Sequence, residues 1–167
     1  IPAYAGTWDI ADGNITVRAG EAEGTNRVTQ GEKDVEDTDT VITGKSEENT
    51  VTIDTSEGNV DVTFDDLKID VSGKKEGDGS DDSPVDAGKA AVTVQGGGDA
   101  TIELDGDNEL KSGGYHAGLE KNDERSEDDE IISGKLTIKD DNDTKGSLTA
   151  EGGDRSEERR VGKECLR

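Results

Sequence analysis

Cysteine is almost missing from this chain. Of its 167 residues one is cysteine, Cys165, and it lies in the final stretch Arg155–Arg167. Residues 1–154 therefore exclude disulfides, thiolate catalysis and cysteine-ligated zinc. Histidine is as scarce: His116 is alone, too few for a multi-histidine metal site, and reads as a polar rim residue beside Tyr115. Methionine is absent and aromatics make up 2% of the chain. No run of about 18 apolar residues exists, so no segment qualifies as a membrane-spanning helix. No GxSxG surrounds a serine and no P-loop is present. Gly96-Gly97-Gly98 precedes a strand pattern rather than a helix, so it reads as a turn and not a phosphate cradle. Only 27% of residues are hydrophobic, against 37% charged, with a net charge of −23. Those values alone describe a disordered chain.

What is present argues for a fold. In Gly98–Gly113, GDATIELDGDNELKSG, Ala100, Ile102 and Leu104 alternate with Thr101 and Glu103, which gives a strand one apolar and one polar face. Asp105-Gly106-Asp107-Asn108 supplies turn residues and predicts a tight turn before a second short strand at Leu110. Gly58–Gly73, GNVDVTFDDLKIDVSG, has the same length and pattern: Val60, Val62 and Phe64 fall on Ala100, Ile102 and Leu104, and Asp65 falls on Asp105. A looser copy starts at Gly134, with Leu136 and Ile138 in the first two apolar places. The starts at 58, 98 and 134 give a period of 40 and then 36. That period predicts an all-β solenoid whose units bury apolar faces on their neighbours. Phe64 and Leu104 are expected inside, Thr101 and Glu103 outside.

The first unit predicts strands at 50–53, 59–64 and 67–71, and the second at Ala91–Val94, Ala100–Leu104 and Leu110. Val51 and Ile53 match Val92 and Val94 at a shift of 41. Lys74–Lys89 and Glu120–Glu130 are poor in apolar residues and read as surface insertions between units. Upstream, Trp8-Asp9-Ile10 and Ile15-Thr16-Val17-Arg18 are short strand candidates, followed by a polar, Gly-rich segment with one weak strand at Val28. Trp8 reads as a plug over the first coil, with a sugar-stacking platform as the alternative. The chain thus divides into a cap with leading strands (1–40), coils (41–154) and a tail (155–167).

The tail breaks the pattern, with clustered arginine and no alternation. Arg155–Cys165, RSEERRVGKEC, resembles the translation of a common sequencing adapter, so the tail is expected to be non-native. It holds five Lys+Arg and three Asp+Glu, leaving 14 against 39 in residues 1–154, a net −25. Such an acidic balance repels nucleic acid and anionic membrane surfaces. The first residue is Ile1, and a removed leader or a clipped fragment suits it equally.

Chemistry has few candidates. Carboxylates are so abundant that no single pair stands out as an acid–base couple. A lyase acting on acidic polysaccharide would use bases, and Lys68, Lys111, Lys121, Lys135 and Lys139 are present outside any motif. Asp141-Asn142-Asp143-Thr144-Lys145-Gly146 resembles the start of a calcium loop, but Lys145 holds the fifth place and Gly152 the twelfth, so an EF-hand is excluded. Ca²⁺ could instead be gathered from turns of adjacent coils by Asp65, Asp66, Asp105, Asp107, Asp140, Asp141 and Asp143. The alternative is a solvated acidic edge.

These segments, NTVTIDTSEGNVDVTFDDLKIDVSG, ATIELDGDNELKSGGYHAGLEKND and GKLTIKDDNDTKGSLTAEGG, resemble bacterial surface carbohydrate-binding-domain proteins over roughly residues 41–153. The resemblance implies a right-handed parallel β-helix, secretion to the cell surface, bound calcium, and binding of acidic plant polysaccharide such as polygalacturonate. Members continue with further Gly-rich coils, which implies that this chain is a truncated piece. The expectation is a non-catalytic extracellular binding or adhesion module. Its rivals are a β-helical polysaccharide lyase or hydrolase and a structural spacer in a larger adhesin.

Overall fold

Period-2 alternation decides the architecture, because every strand that obeys it has an apolar face to hide. The computed structural model describes residues 5–154, so the tail at 155–167 lies outside the described residues. Strands β1 (Thr7–Asp9), β2 (Ile15–Ala19), β3 (Asn26–Gln30), β4 (Lys33–Asp37) and β5 (Val41–Ser46) come first. Then follow β6 (Val51–Asp54), β7 (Val60–Asp70), β8 (Val92–Gln95), β9 (Ala100–Lys111) and β10 (Leu119–Asn122). The short β11 (Glu124–Arg125) and β12 (Ile131–Ile132), then β13 (Leu136–Lys139) and β14 (Gly146–Glu151), complete the set. A single 3₁₀ turn, Ile10–Asp12, sits between β1 and β2.

The protein is all-β, with parallel pairing dominant. One sheet runs β1-β5-β7-β9-β13, with β14 also on β9, and all its neighbours are parallel. The second runs β10-β8-β6-β2-β3-β4, parallel from β10 to β2. Both sheets are open. From β5 to β10 the chain alternates between them, and Trp8, Ile42, Phe64 and Ile102 of the first share one buried cluster with Val17, Val28, Ile53 and Val94 of the second. Fully burying such side chains is worth about 1.5–3 kcal/mol each. That is how a chain with so few apolar residues holds together.

The internal repeats are literal register. Val60, Val62, Phe64 and Asp65 pair with Ala100, Ile102, Leu104 and Asp105, and Leu136 and Ile138 pair with Ala100 and Ile102. Val51 and Ile53 pair with Val92 and Val94. Phe64 is fully buried and Leu104 nearly so, while Thr101 and Glu103 face outward.

Two local expectations are corrected. The tight turns at Asp65-Asp66 and Asp105–Asn108 are bends inside continuous strands, β7 and β9. Each bend uses one left-handed residue, Asp66 (φ 51°) or Gly106 (φ 65°). One such residue kinks a strand without reversing it, and the parallel ladder between β7 and β9 resumes beyond the bend at Lys68 and Glu109. The supposed insertion at 120–130 begins as strand β10, paired in register with β8, because Leu119 continues the buried row above Val92. The rest of it forms the β11–β12 hairpin. The strand expected at Val28 is present as β3, and it is the centre of an antiparallel ribbon, β2-β3-β4. Only Gly31 and Glu32 separate β3 from β4, and so short a link joins antiparallel strands only. At this end Trp8 is 3% exposed, and its indole N–H donates to the buried Asp37 carboxylate at 2.7 Å.

Candidate functional site

The long strands place most of the chemistry-bearing side chains on the outer face of the first sheet, on either side of one bend. The bend widens strand by strand. Between inward positions β5 has Thr43 alone, β7 has Asp65 and Asp66, and β9 has Asp105, Gly106 and Asp107. The offset between β7 and β9 therefore passes from 40 (Phe64 with Leu104) to 41 (Lys68 with Glu109). In the next copy the extra length becomes a loop, Asp140–Lys145, that separates β13 from β14. Close approach limits what can stand here: a Cβ on Gly44 (φ 96°) would fall on the Asp9 carboxylate, and one on Gly106 on that of Asp66.

The proposed calcium ligands all lie at this bend. Asp65 and Asp105 are directly paired on adjacent parallel strands. Burial, then the charges of Asp66 and Asp105, holds the Asp65 carboxyl above its ordinary pKa. The Asp66 carboxylate accepts from Asp107 N–H at 2.9 Å. Asp105 accepts from the Asn142 side-chain amide at 2.7 Å, and Asp107 from the Ser147 hydroxyl at 2.8 Å. Asp141 N–H donates to Glu103, and Lys139 reaches both carboxylates. Glu103 is pushed up by burial and then by its hydrogen bond with Asp141, whose own pKa is lowered by that bond. Asp140 and Asp143 are exposed in the loop. Among the described residues no three His, Cys, Asp or Glu side chains form a metal-ligating group.

Before the bend, the outer face borders an open depression of about 620 Å³ lined by hydroxyls and acids, among them Thr63, Thr101, Asp61, Glu103, Asp105 and Asn142. After the bend the character changes. Lys45 and Lys68 are paired in register, and Lys111 lies on β9 opposite Asp70. These lysines line a trough of about 220 Å³ with Glu47, Asp70 and Glu109. The trough adjoins a second of about 420 Å³ that shares Asp70 and Lys111 and adds Lys74 and Lys75. Of the lysines considered for polysaccharide chemistry, the fold thus brings Lys68 and Lys111 to adjacent strands beyond the bend. Lys139 is engaged with acids on the other side, and Lys121 pairs with Asp123.

Two residues escaped the sequence reading. Lys45 falls in line with Lys68 once β5 is seen as a partner of β7. Asn108, read as a turn former, is 1% exposed and points inward. Its oxygen accepts from Leu67 N–H at 2.8 Å, and its amide donates to the carbonyls of Phe64, Asp105 and Ser147. One side chain thus satisfies the backbone that the bend leaves unpaired in three strands. The signal was its spacing: Leu104, Asn108 and Leu110 share one parity. His116 bonds Glu120 at 2.9 Å. Burial pushes Glu120 up, but the bond and charge of His116 hold it below its ordinary value.

No family model, curated protein or solved structure matches this chain.

Proposed function

We propose that the two sheets are walls of a right-handed parallel β-helix and that the chain is a non-catalytic carbohydrate-binding or adhesion module of the bacterial cell surface. Parallel strands that return to one sheet through an intervening segment are right-handed in nearly all proteins, which supports the handedness. The observation that carries the binding reading is the in-register outer face of the first sheet. Its rows of threonine, carboxylate, amide and ammonium groups recur at the strand spacing of about 4.8 Å. A linear polymer of hydroxyls and carboxylates offers complementary groups at a similar repeat, and polygalacturonate is such a polymer.

Calcium belongs to the same proposal. Asp65 and Asp105, paired on adjacent strands, would each offer carboxylate oxygens to one ion, with backbone carbonyls and water filling the six to eight oxygen positions Ca²⁺ takes. The direct pairing of Asp65 with Asp105 is the supporting observation, and burial, then the charges of Asp66 and Asp105, raise the Asp65 carboxyl there. A glycan array with and without Ca²⁺ tests the reading. Binding to acidic glycans is the expected result. Binding to no glycan would leave a structural spacer, and release of unsaturated uronides, read by ultraviolet absorbance, would make the protein a lyase.

A further inference from the structure

Seven asparagines stand in the chain, and two of them open the triplet Asn-x-Ser/Thr. They are Asn14-Ile15-Thr16 and Asn142-Asp143-Thr144, each with an aspartate two places earlier, Asp12 and Asp140. The triplet is the acceptor for N-linked glycosylation where it lies on a surface. The aspartate completes the longer form that bacterial oligosaccharide transferases accept. Such an enzyme draws the whole segment into its site, asparagine amide and threonine hydroxyl together, and backbone tied into a sheet does not follow. The fold treats the two triplets oppositely. Ile15 is 1% exposed, and Thr16 is paired on both sides, with Thr29 of β3 and Thr52 of β6. Ile15 N–H donates to the Thr50 carbonyl, and the Asn14 side-chain oxygen accepts from Thr50 N–H at 2.9 Å. Reaching Asn14 therefore means pulling β2 from the middle of its sheet. Asn142 lies in the loop 140–145, all of it exposed. Among the described residues, 141–144 make no backbone-to-backbone hydrogen bond. The Asn142 amide donates to the Asp105 carboxylate at 2.7 Å, and its oxygen accepts from Thr144 N–H at 3.0 Å, both at the surface.

We infer that Asn142 is a site of N-linked glycosylation on the folded protein and that Asn14 is not. The donor is an oligosaccharide carried on a polyprenyl pyrophosphate. Asn142 Nδ2 forms a bond to the anomeric carbon, the bond from that carbon to the pyrophosphate oxygen breaks, and the lipid pyrophosphate leaves. One amide proton passes to a carboxylate of the transferase. The other stays on Nδ2, so the hydrogen bond to Asp105 can persist in the product. Asn142 lines the depression before the bend together with Asp39, Asp61 and Glu103, so a glycan there stands at its mouth. None of this depends on what the outer face binds.

Incubating the folded full chain with a purified bacterial oligosaccharide transferase and a polyprenyl-pyrophosphate-linked oligosaccharide tests the site. Intact mass counts the glycans added, and peptide mapping places them. The expected result is a single adduct on Asn142, lost in Asn142→Gln and in Thr144→Val and kept in Asn14→Gln. Thr144→Val leaves the asparagine in place and removes the hydroxyl that the transferase reads, so an adduct that survives it overturns the acceptor triplet. Circular dichroism checks that each variant keeps its strands. A synthetic peptide of residues 137–147 is the reference acceptor. A folded chain left unmodified while the peptide is glycosylated would mean that the fold closes the loop to the enzyme, and overturns the site. Refusal of the peptide overturns it as well, because the sequence is then no acceptor. Adducts on Asn14 as readily as on Asn142 overturn the distinction drawn from the sheet.

Discussion

The two halves of strands β7 and β9 share an inside and differ outside. Before the bend their inner row is Val60, Val62 and Phe64 over Ala100, Ile102 and Leu104. After it the row is Leu67 and Ile69 over Asn108 and Leu110. Outside, the first half carries Asp61, Thr63 and Asp65 beside Thr101, Glu103 and Asp105, and the second carries Lys68 and Asp70 beside Glu109 and Lys111. One hydrophobic scaffold thus displays two surfaces of different charge, and one extra residue in β7 and two in β9 separate them. The core asks only for alternation, so the outer face is free to diverge over a few ångströms.

If the inside is truly common, core truncations on the two sides should be alike. Phe64→Ala is expected to lose about 3–5 kcal/mol and Leu110→Ala about 2–5 kcal/mol, against about 0.5 kcal/mol or less for Thr101→Ala on the outer face. Urea denaturation measures all three. A Leu110→Ala cost as small as that of Thr101→Ala would mean that the second half is not part of the core.

Calcium should act on one half only. An ion held at the folded bend adds about 2.7 kcal/mol at a hundredfold excess over its Kd. Millimolar Ca²⁺ is expected to raise the thermal midpoint well beyond NaCl of equal ionic strength, with Mg²⁺ weaker because it dehydrates reluctantly. Asp105→Asn with Asp107→Asn should abolish that increment, whereas Asp70→Asn beyond the bend should leave it intact. Equal shifts from all three salts would reduce the acidic side to a solvated edge.

The bend itself depends on Asn108. Asn108→Leu would add an apolar side chain between Leu148, its register partner, and Leu67, whose N–H donates to Asn108, and simple hydrophobicity predicts a gain. The Leu67 N–H would lose its acceptor, and an unsatisfied buried donor costs about 1–3 kcal/mol. A net loss in denaturant midpoint is therefore expected, and a more stable variant would show that the bend needs no amide.

Much of this was legible in residues and some was not. The repeats placed Val60 on Ala100 and Leu136 on Ala100, which are register pairs, because alternation survives wherever a face is buried. What misled was the chemistry of Asp, Gly and Asn, which is the same in a reversing turn and in a bulge. Only the neighbouring strands decide between them. The β3–β4 ribbon was half visible, since Lys33–Asp37 has a single apolar residue, Val35. Asp65, Asp66, Asp105 and Asp107 were read as turn residues of adjacent units, whereas Asp39 and Asp61, which join Asp105 around the depression, were not singled out. On the lysine side Lys45 was missed, because it sits outside the copies and meets Lys68 only through pairing of β5 with β7.

The smallest predicted effect separates the two halves by sign. On the acidic side Asp65 and Glu103 have raised pKa values, Asp65 by burial and then by its acidic neighbours, while Asp141, lowered by its bond with Glu103, joins the falling limb. The folded state then holds the Asp65 and Glu103 protons more tightly than the unfolded chain does. Their contribution is complete below the unfolded pKa, about 4, and is lost as pH rises through the folded value. On the lysine side Asp70 is lowered, first by the Ser72 hydroxyl and further by Lys111. Its contribution is present above about 4 and is lost as pH falls through its lowered folded value. Acidifying from neutrality toward about 4 should therefore raise the thermal midpoint slightly, through the acidic half, and further acidification should reverse the gain, partly through the other. Asp65→Asn should flatten the rise and spare the fall. Asp70→Asn should spare the rise and soften the fall. If both variants altered the same limb of the curve, the two halves would be one electrostatic surface, and the division at the bend would have no energetic meaning.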